Sequence, residues 1–111
     1  MILNFKLKSD LSNLNEYEFY DCMSPSKFVN SKWCPVFISW AEDDIFCKGQ
    51  GETMSNALKS HIDDVSTYSV KGILNNHCYH LFLKSNKYAE ECMGKSVDFI
   101  NRISRKELQT K

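Results

Sequence analysis

The clearest pattern in the chain is a strand-helix-strand-helix succession that begins at Cys34. Cys34-Pro35-Val36-Phe37-Ile38-Ser39-Trp40 is a nearly continuous apolar run with β-branched and aromatic residues behind an opening proline, which predicts a strand. The run does not alternate, as suits a strand covered on both faces in a parallel sheet. Ala41-Glu42-Asp43-Asp44 follows as a polar turn. From Gly51 to Ile62, Met54, Ala57, Leu58 and Ile62 recur at helical spacing with Glu52 near the N-terminal end, which predicts a helix. Asp63-Asp64 closes it, and Val65 to Val70 reads as a second strand. An irregular stretch, Lys71 to Asn76, leads to a long helix predicted from Ser85 to about Ile103. On it Tyr88, Ala89, Cys92, Met93, Ile100 and Ile103 form the apolar side, and Glu91 and Lys95 are spaced as an i,i+4 pair. Gly94, in its middle, is expected to mark close packing on the sheet.

Residues 1–33 form a less defined lead-in. Leu7, Leu11 and Leu14 suggest a short helix starting near Ser9 or Asp10, and Ser24-Pro25-Ser26 breaks the chain. Residues 34–111 carry the predicted α/β part: two parallel strands joined by a right-handed crossover helix, then a long C-terminal helix. A two-stranded sheet falls short of the three or more strands that usually stand alone. The apolar edge of Val36 to Trp40 is therefore expected to pair with another chain or to self-associate.

Composition narrows the partners. The 111 residues leave room for one domain. Fourteen basic against fourteen acidic side chains give no reason to expect nucleic acid or an anionic membrane. No apolar run is long enough to span a bilayer, and the alternating start Met1 to Lys8 lacks the apolar block of a signal peptide, so a cytoplasmic location is expected. Five cysteines without CxxC spacing (Cys22, Cys34, Cys47, Cys78, Cys92) read as reduced thiols, mostly in the core or half-buried.

The polar residues gather where parallel sheets place chemistry, past the carboxyl ends of the strands. Glu42-Asp43-Asp44 follows the first, and His77-Cys78-Tyr79-His80 lies beyond the second. A carboxylate and an imidazole on neighbouring strand ends can meet, the carboxylate orienting the ring and stabilising its charged form. Pro35 to Asp44 resembles the acid-bearing strand and turn of α/β-hydrolase esterases. Asn76-His77-Cys78-Tyr79-His80-Leu81-Phe82 resembles the loop that carries their histidine. Tyr20-Asp21-Cys22-Met23-Ser24-Pro25 is similar to the Ser-Pro segment that precedes this strand in esterases and kynurenine formamidases. The order, acid before histidine with His77 33 positions after Asp44, also matches that family.

The resemblance covers about Tyr20 to Ile103 and implies the C-terminal part of an α/β-hydrolase fold acting on an ester or amide. It assigns the triad acid to Asp44, with Asp43 as fallback, and the histidine to His77, with His80 a second polar residue on the same loop. The sequence departs from the family at Ala41 and Cys78, where glycine is usual, and in a longer loop from Gly72 to His77. It contains no Gly-x-Ser-x-Gly and no His-Gly-Gly, hence neither a serine nucleophile nor its oxyanion donors. The chain is therefore expected to be catalytically incomplete as it stands. The competing reading is a non-catalytic truncated product or a module that docks on another chain. Less weight falls on a solvated acidic turn, a metal site of His77, His80, Cys78 and Cys92, or Cys78 as a nucleophile. No cofactor and no metal are expected. Trp40 is expected to pack at the strand end.

Overall fold

The computed structural model describes residues 15–72 and 74–110. The helix expected around Leu7 to Leu14 lies outside them. The first helix described, α1 (Glu16–Met23), begins with a capping box: the Glu18 amide donates to Asn15 Oδ1 at 2.9 Å, and the Asn15 amide donates to Glu18 Oε2 at 3.0 Å. It stops at Ser24, where Pro25 opens a 3₁₀ turn, Pro25–Phe28. Strand β1 (Val36–Ala41), helix α2 (Gln50–His61), strand β2 (Val65–Val70), a 3₁₀ turn (Tyr79–Leu81) and helix α3 (Lys87–Thr110) follow.

The two strands pair in parallel, Val36 opposite Val65 and Ala41 opposite Val70. This is the expected small α/β arrangement. The ladder opens at Val36, not Cys34: Pro35 has no N–H to give, and the Val36 amide is the first to donate, to the Asp64 carbonyl at 3.1 Å. The period-two alternation of the strands sends neighbouring residues to opposite helices. Phe37, Ser39 and Ala41 with Tyr68 and Val70 face α3, where Cys92 donates to Ser39 Oγ at 3.2 Å and Phe37 meets Phe99. Trp40 faces α2 and lies directly over Gly51.

The core is small. Leu58 is the one large side chain fully buried among the described residues, and Ala41, Val70, Tyr79, Ala89 and Cys92 form the buried cluster on the other face. Many large apolar side chains stay exposed, among them Ile45, Phe46, Leu74, Leu81 and Phe82. Each strand has a neighbour on one side only among the described residues.

Helix α3 corrects three expectations. Its buried stripe runs through Ala89 and Cys92 to the half-buried Ser96, Phe99 and Ile103, while Tyr88, Met93 and Ile100 are exposed. The true stripe follows the 3.6-residue period and admits a serine, whose hydroxyl donates to the Met93 carbonyl at 2.8 Å. Glu91 and Lys95 do not pair with each other. Both turn to Tyr68, whose hydroxyl donates to Glu91 Oε2 at 2.8 Å and whose ring lies 5.7 Å from Lys95 Nζ. Desolvation, then Glu91, pushes the Tyr68 hydroxyl up to about 12. The far half of α3 is tied to the start of β2 by two bonds from Arg102 to Asp64, at 2.9 and 2.8 Å, the fork geometry that makes arginine–carboxylate pairs strong.

Gly94 does not mark close packing: nothing lies within 4 Å of where its Cβ would stand. The close approach is at Gly51, where a Cβ would overlap Cβ and Cγ of Trp40. The two glycines should therefore respond oppositely to alanine. Gly94→Ala is expected to stabilise by about 0.5–1 kcal/mol through helix propensity. Gly51→Ala, also helical, is expected to destabilise by about 1–3 kcal/mol, because Trp40 must move. Thermal midpoints of the two variants check the signs; equal shifts would refute the packing of Trp40 on α2.

Candidate functional site

The acid turn and the histidine loop meet beyond the carboxyl ends of β1 and β2. His77 Nδ1 lies 2.8 Å from Asp44 Oδ2. A carboxylate only accepts, so Nδ1 carries a proton, and in the neutral ring this leaves Nε2 with its lone pair. The other oxygen, Oδ1, accepts the backbone N–H of Phe46 at 2.7 Å and of Cys47 at 2.9 Å. Asp44 thereby shapes its own turn with one oxygen and holds the ring with the other. The residue is 8% exposed. Burial alone would raise its carboxyl, but the His77 bond and the two backbone donors outweigh it and hold the group below the usual carboxylate value.

Asp43, the fallback acid, does something else. Its Oδ2 accepts the Gly72 amide at 2.8 Å and its carbonyl accepts Asn76 Nδ2 at 3.1 Å. It joins the acid turn to the loop after β2. Glu42 is taken up by Ser69 Oγ at 3.0 Å and by Lys71 at 3.3 Å. His80 is exposed and stands edge-on to Tyr79, away from the Asp44 bond.

The long loop from Gly72 to His77 holds its place through two asparagines. Asn76 Oδ1 accepts the Ile45 amide at 3.1 Å, while Nδ2 reaches Asp43, so one side chain bridges both loops immediately before His77. Asn75, 6% exposed, donates to the Lys71 carbonyl and accepts from Asn86, the residue that caps α3. Sequence reading passed over both. The signal available was the run Asn75-Asn76-His77, since asparagine is the side chain that best imitates backbone in a turn. Cys78, where the hydrolase resemblance expects glycine, has φ +58°. That is the left-handed region in which glycine carries no Cβ penalty.

His77, half-exposed, lies on a cleft of about 770 Å³. Phe46 packs edge-on to the ring at 5.2 Å between centroids. Tyr20, Met23, Trp40 and Met54 give the cleft apolar walls, and Ser24, Pro25 and Ser26 complete one side. Its size and character suit a small ligand. Trp40 thus combines its packing on α2 with a cleft wall. At the cleft's base Ser39 Oγ and Tyr79 OH are 2.6 Å apart, and burial drives the Tyr79 hydroxyl upward. Among the described residues no hydroxyl is hydrogen-bonded to the His77 ring.

The cysteines are free thiols, most of them buried or half-buried, as expected. Cys92 is buried and Cys22 and Cys47 half-buried, while Cys34 and Cys78 are exposed. The grouping of His77 and His80 with Cys78 and Cys92 does not converge. The group that does is Asp44, Cys47 and His77, whose ligand atoms lie within 4.8 Å of one another. No helix among the described residues is long and apolar enough to cross a membrane.

The arrangement can accept a proton at Nε2 and stabilise the resulting imidazolium through Asp44. That is a general base held in one tautomer at the edge of a ligand-sized cleft. No family model, curated protein or solved structure matches the chain.

Proposed function

We propose that this chain is the C-terminal part of a serine ester or amide hydrolase of the α/β-hydrolase type, with Asp44 as its triad acid and His77 as its general base. The observation that carries the reading is the 2.8 Å bond between Asp44 and His77, made between the turns beyond two adjacent parallel strands. In such a site His77 Nε2 takes the proton of an attacking serine and returns it to the leaving group, while Asp44 holds the tautomer. The serine and the oxyanion donors would come from a polypeptide segment carrying Gly-x-Ser-x-Gly, which this sequence lacks. The exposed apolar side chains and the unpaired strand edges support the same reading, because they are surfaces a larger sheet would cover.

The 111-residue chain by itself is expected to hydrolyse activated esters no faster than free imidazole does. Stoichiometric labelling by a fluorophosphonate, or a product burst abolished by one, would overturn this. Supplying the segment encoded upstream of Met1, should an open frame there contain Gly-x-Ser-x-Gly, is expected to create that burst. The open edges also favour a second reading, a non-catalytic module that docks on another chain. Sedimentation separates it from an isolated unit: self-association at micromolar concentration is expected, and a compact monomer would count against both readings.

A further inference from the structure

We propose that Asp44, Cys47 and His77 form a binding site for a thiophilic divalent cation, Zn²⁺ or Co²⁺, with a fourth position open to the cleft. The site uses residues of the acid turn and the histidine loop but does not rest on the hydrolase reading. Three kinds of donor converge there, a carboxylate oxygen, a thiol sulfur and an imidazole nitrogen, all within 4.8 Å of one another. Tetrahedral zinc, with bonds of about 2.0–2.3 Å, needs donors roughly 3.3–3.6 Å apart. The Asp44–His77 separation of 2.8 Å must open slightly and the sulfur swing inward, which a half-buried cysteine side chain can do by rotation about χ1.

The frame is already built. Asp44 accepts the Cys47 amide, which fixes the three-residue spacing of the turn, and Asn76 clamps the histidine loop to it through Ile45 and Asp43. The donor set selects the metal. Thiolate and imidazole favour zinc, cobalt and their neighbours over magnesium or calcium, which prefer six or more oxygens. A thiolate and a carboxylate together carry two negative charges, matching a divalent ion. Three protein ligands and one open position are also the pattern of zinc sites that bind an exogenous molecule.

Proton balance follows. The Cys47 thiol releases its proton to solvent. The proton on His77 Nδ1 moves to Nε2, so one proton leaves for each ion bound. With Nε2 protonated, the ring can no longer act as a base, and an ion in this site would suppress any reaction that uses His77 to take a proton.

The test is titration of the full chain, kept reduced by a phosphine, with Co²⁺ and then with Zn²⁺ against a chromophoric chelator. One equivalent of Co²⁺ is expected to bind with a thiolate-to-metal charge-transfer band, and Zn²⁺ to displace it, whereas millimolar Mg²⁺ does not. Cys47→Ser should abolish the band and, like His77→Ala, weaken Zn²⁺ binding at least tenfold, the least that loss of even an outer partner costs. His77→Ala leaves Asp44 bonded to the Phe46 and Cys47 amides, so the turn is retained and the test stays valid should the Cys47 variant be unstable. Cys78→Ser should bind as the parent does. Absence of the band in the parent chain, full affinity in either ligand variant, or loss of binding in Cys78→Ser would overturn the assignment.

Discussion

Replacement of Leu58 by alanine is expected to cost about 3 kcal/mol, within the range for a buried leucine. In a domain of this size that lowers the thermal midpoint by roughly 15 °C. The reason is its isolation. Leu58 is the one large side chain fully buried among the described residues, on a helix that packs on both strands and on the Pro25–Phe28 turn. A core with so few large members has little around it that can collapse into the space left. Total stabilities of small domains are about 5–15 kcal/mol, and one this thinly packed belongs near the lower end. The variant should therefore be substantially unfolded at 37 °C. Leu81→Ala, at a leucine 67% exposed, is the control and should stay within about 0.5 kcal/mol of the parent. Circular dichroism melts of the pair decide it. A Leu58→Ala midpoint within a few degrees of the parent would mean that α2 does not pack on the sheet as described.

The same thin packing explains what could be read from the sequence and what could not. Strand β2, Val65–Val70, was legible to the residue because its β-branched run is bounded by Asp64 and Gly72. Strand β1 was legible except at its ends: proline's missing donor delays the first rung to Val36, and Ala41, expected in the turn, is the last residue of the strand, opposite Val70. Helix α1 is signalled not by the leucines at 7, 11 and 14 but by the capping box at Asn15 and Glu18, a local signal present in the sequence. The stripe on α3 went wrong for another reason. The expected side merged two apolar sets at helical spacing: Ala89, Cys92 and Ile103 are buried or half-buried, and only tertiary contact shows that Tyr88, Met93 and Ile100 are not.

At the candidate site, the positions of Asp44 and His77 followed from resemblance and strand order, and the structure brings these two together. What separates Asp44 from Asp43 is invisible locally. Both sit in one turn, and the difference lies in which amides receive each carboxylate: Phe46 and Cys47 for Asp44, Gly72 for Asp43. The bridging by Asn76 spans 31 residues to Ile45, and the approach of Cys47 to the histidine joins two loops in the same way. No periodicity encodes such contacts.

The largest effect should come from Asp44→Asn, because it separates the two tasks of this side chain. Asparagine's carbonyl oxygen can still accept the Phe46 and Cys47 amides, so the turn and the fold should survive. Its amide nitrogen, however, can only donate toward His77. Nδ1 must then become the acceptor, the proton moves to Nε2, and the ring presents the wrong tautomer to the cleft. On the proposed function, with a nucleophile-bearing segment supplied, kcat is expected to fall about 10⁴-fold with KM little changed, the effect of a wrong histidine tautomer in a triad. Asp44→Ala should lose activity too, but also stability, since two backbone N–H groups would lose their acceptor. The acid limb supplies an independent check. The folded-state carboxyl of Asp44 is held below its unfolded value of 3.8. Its stabilising contribution is therefore full above pH 3.8 and drains away as pH falls through the lower, folded value. Asp64, held down chiefly by Arg102, behaves in the same direction. Acid unfolding of Asp44→Asn should consequently be shallower than that of the parent but not flat, because Asp64 remains. Activity retained in Asp44→Asn, with an unchanged acid limb, would show that the Asp44–His77 bond neither holds the fold nor directs the histidine.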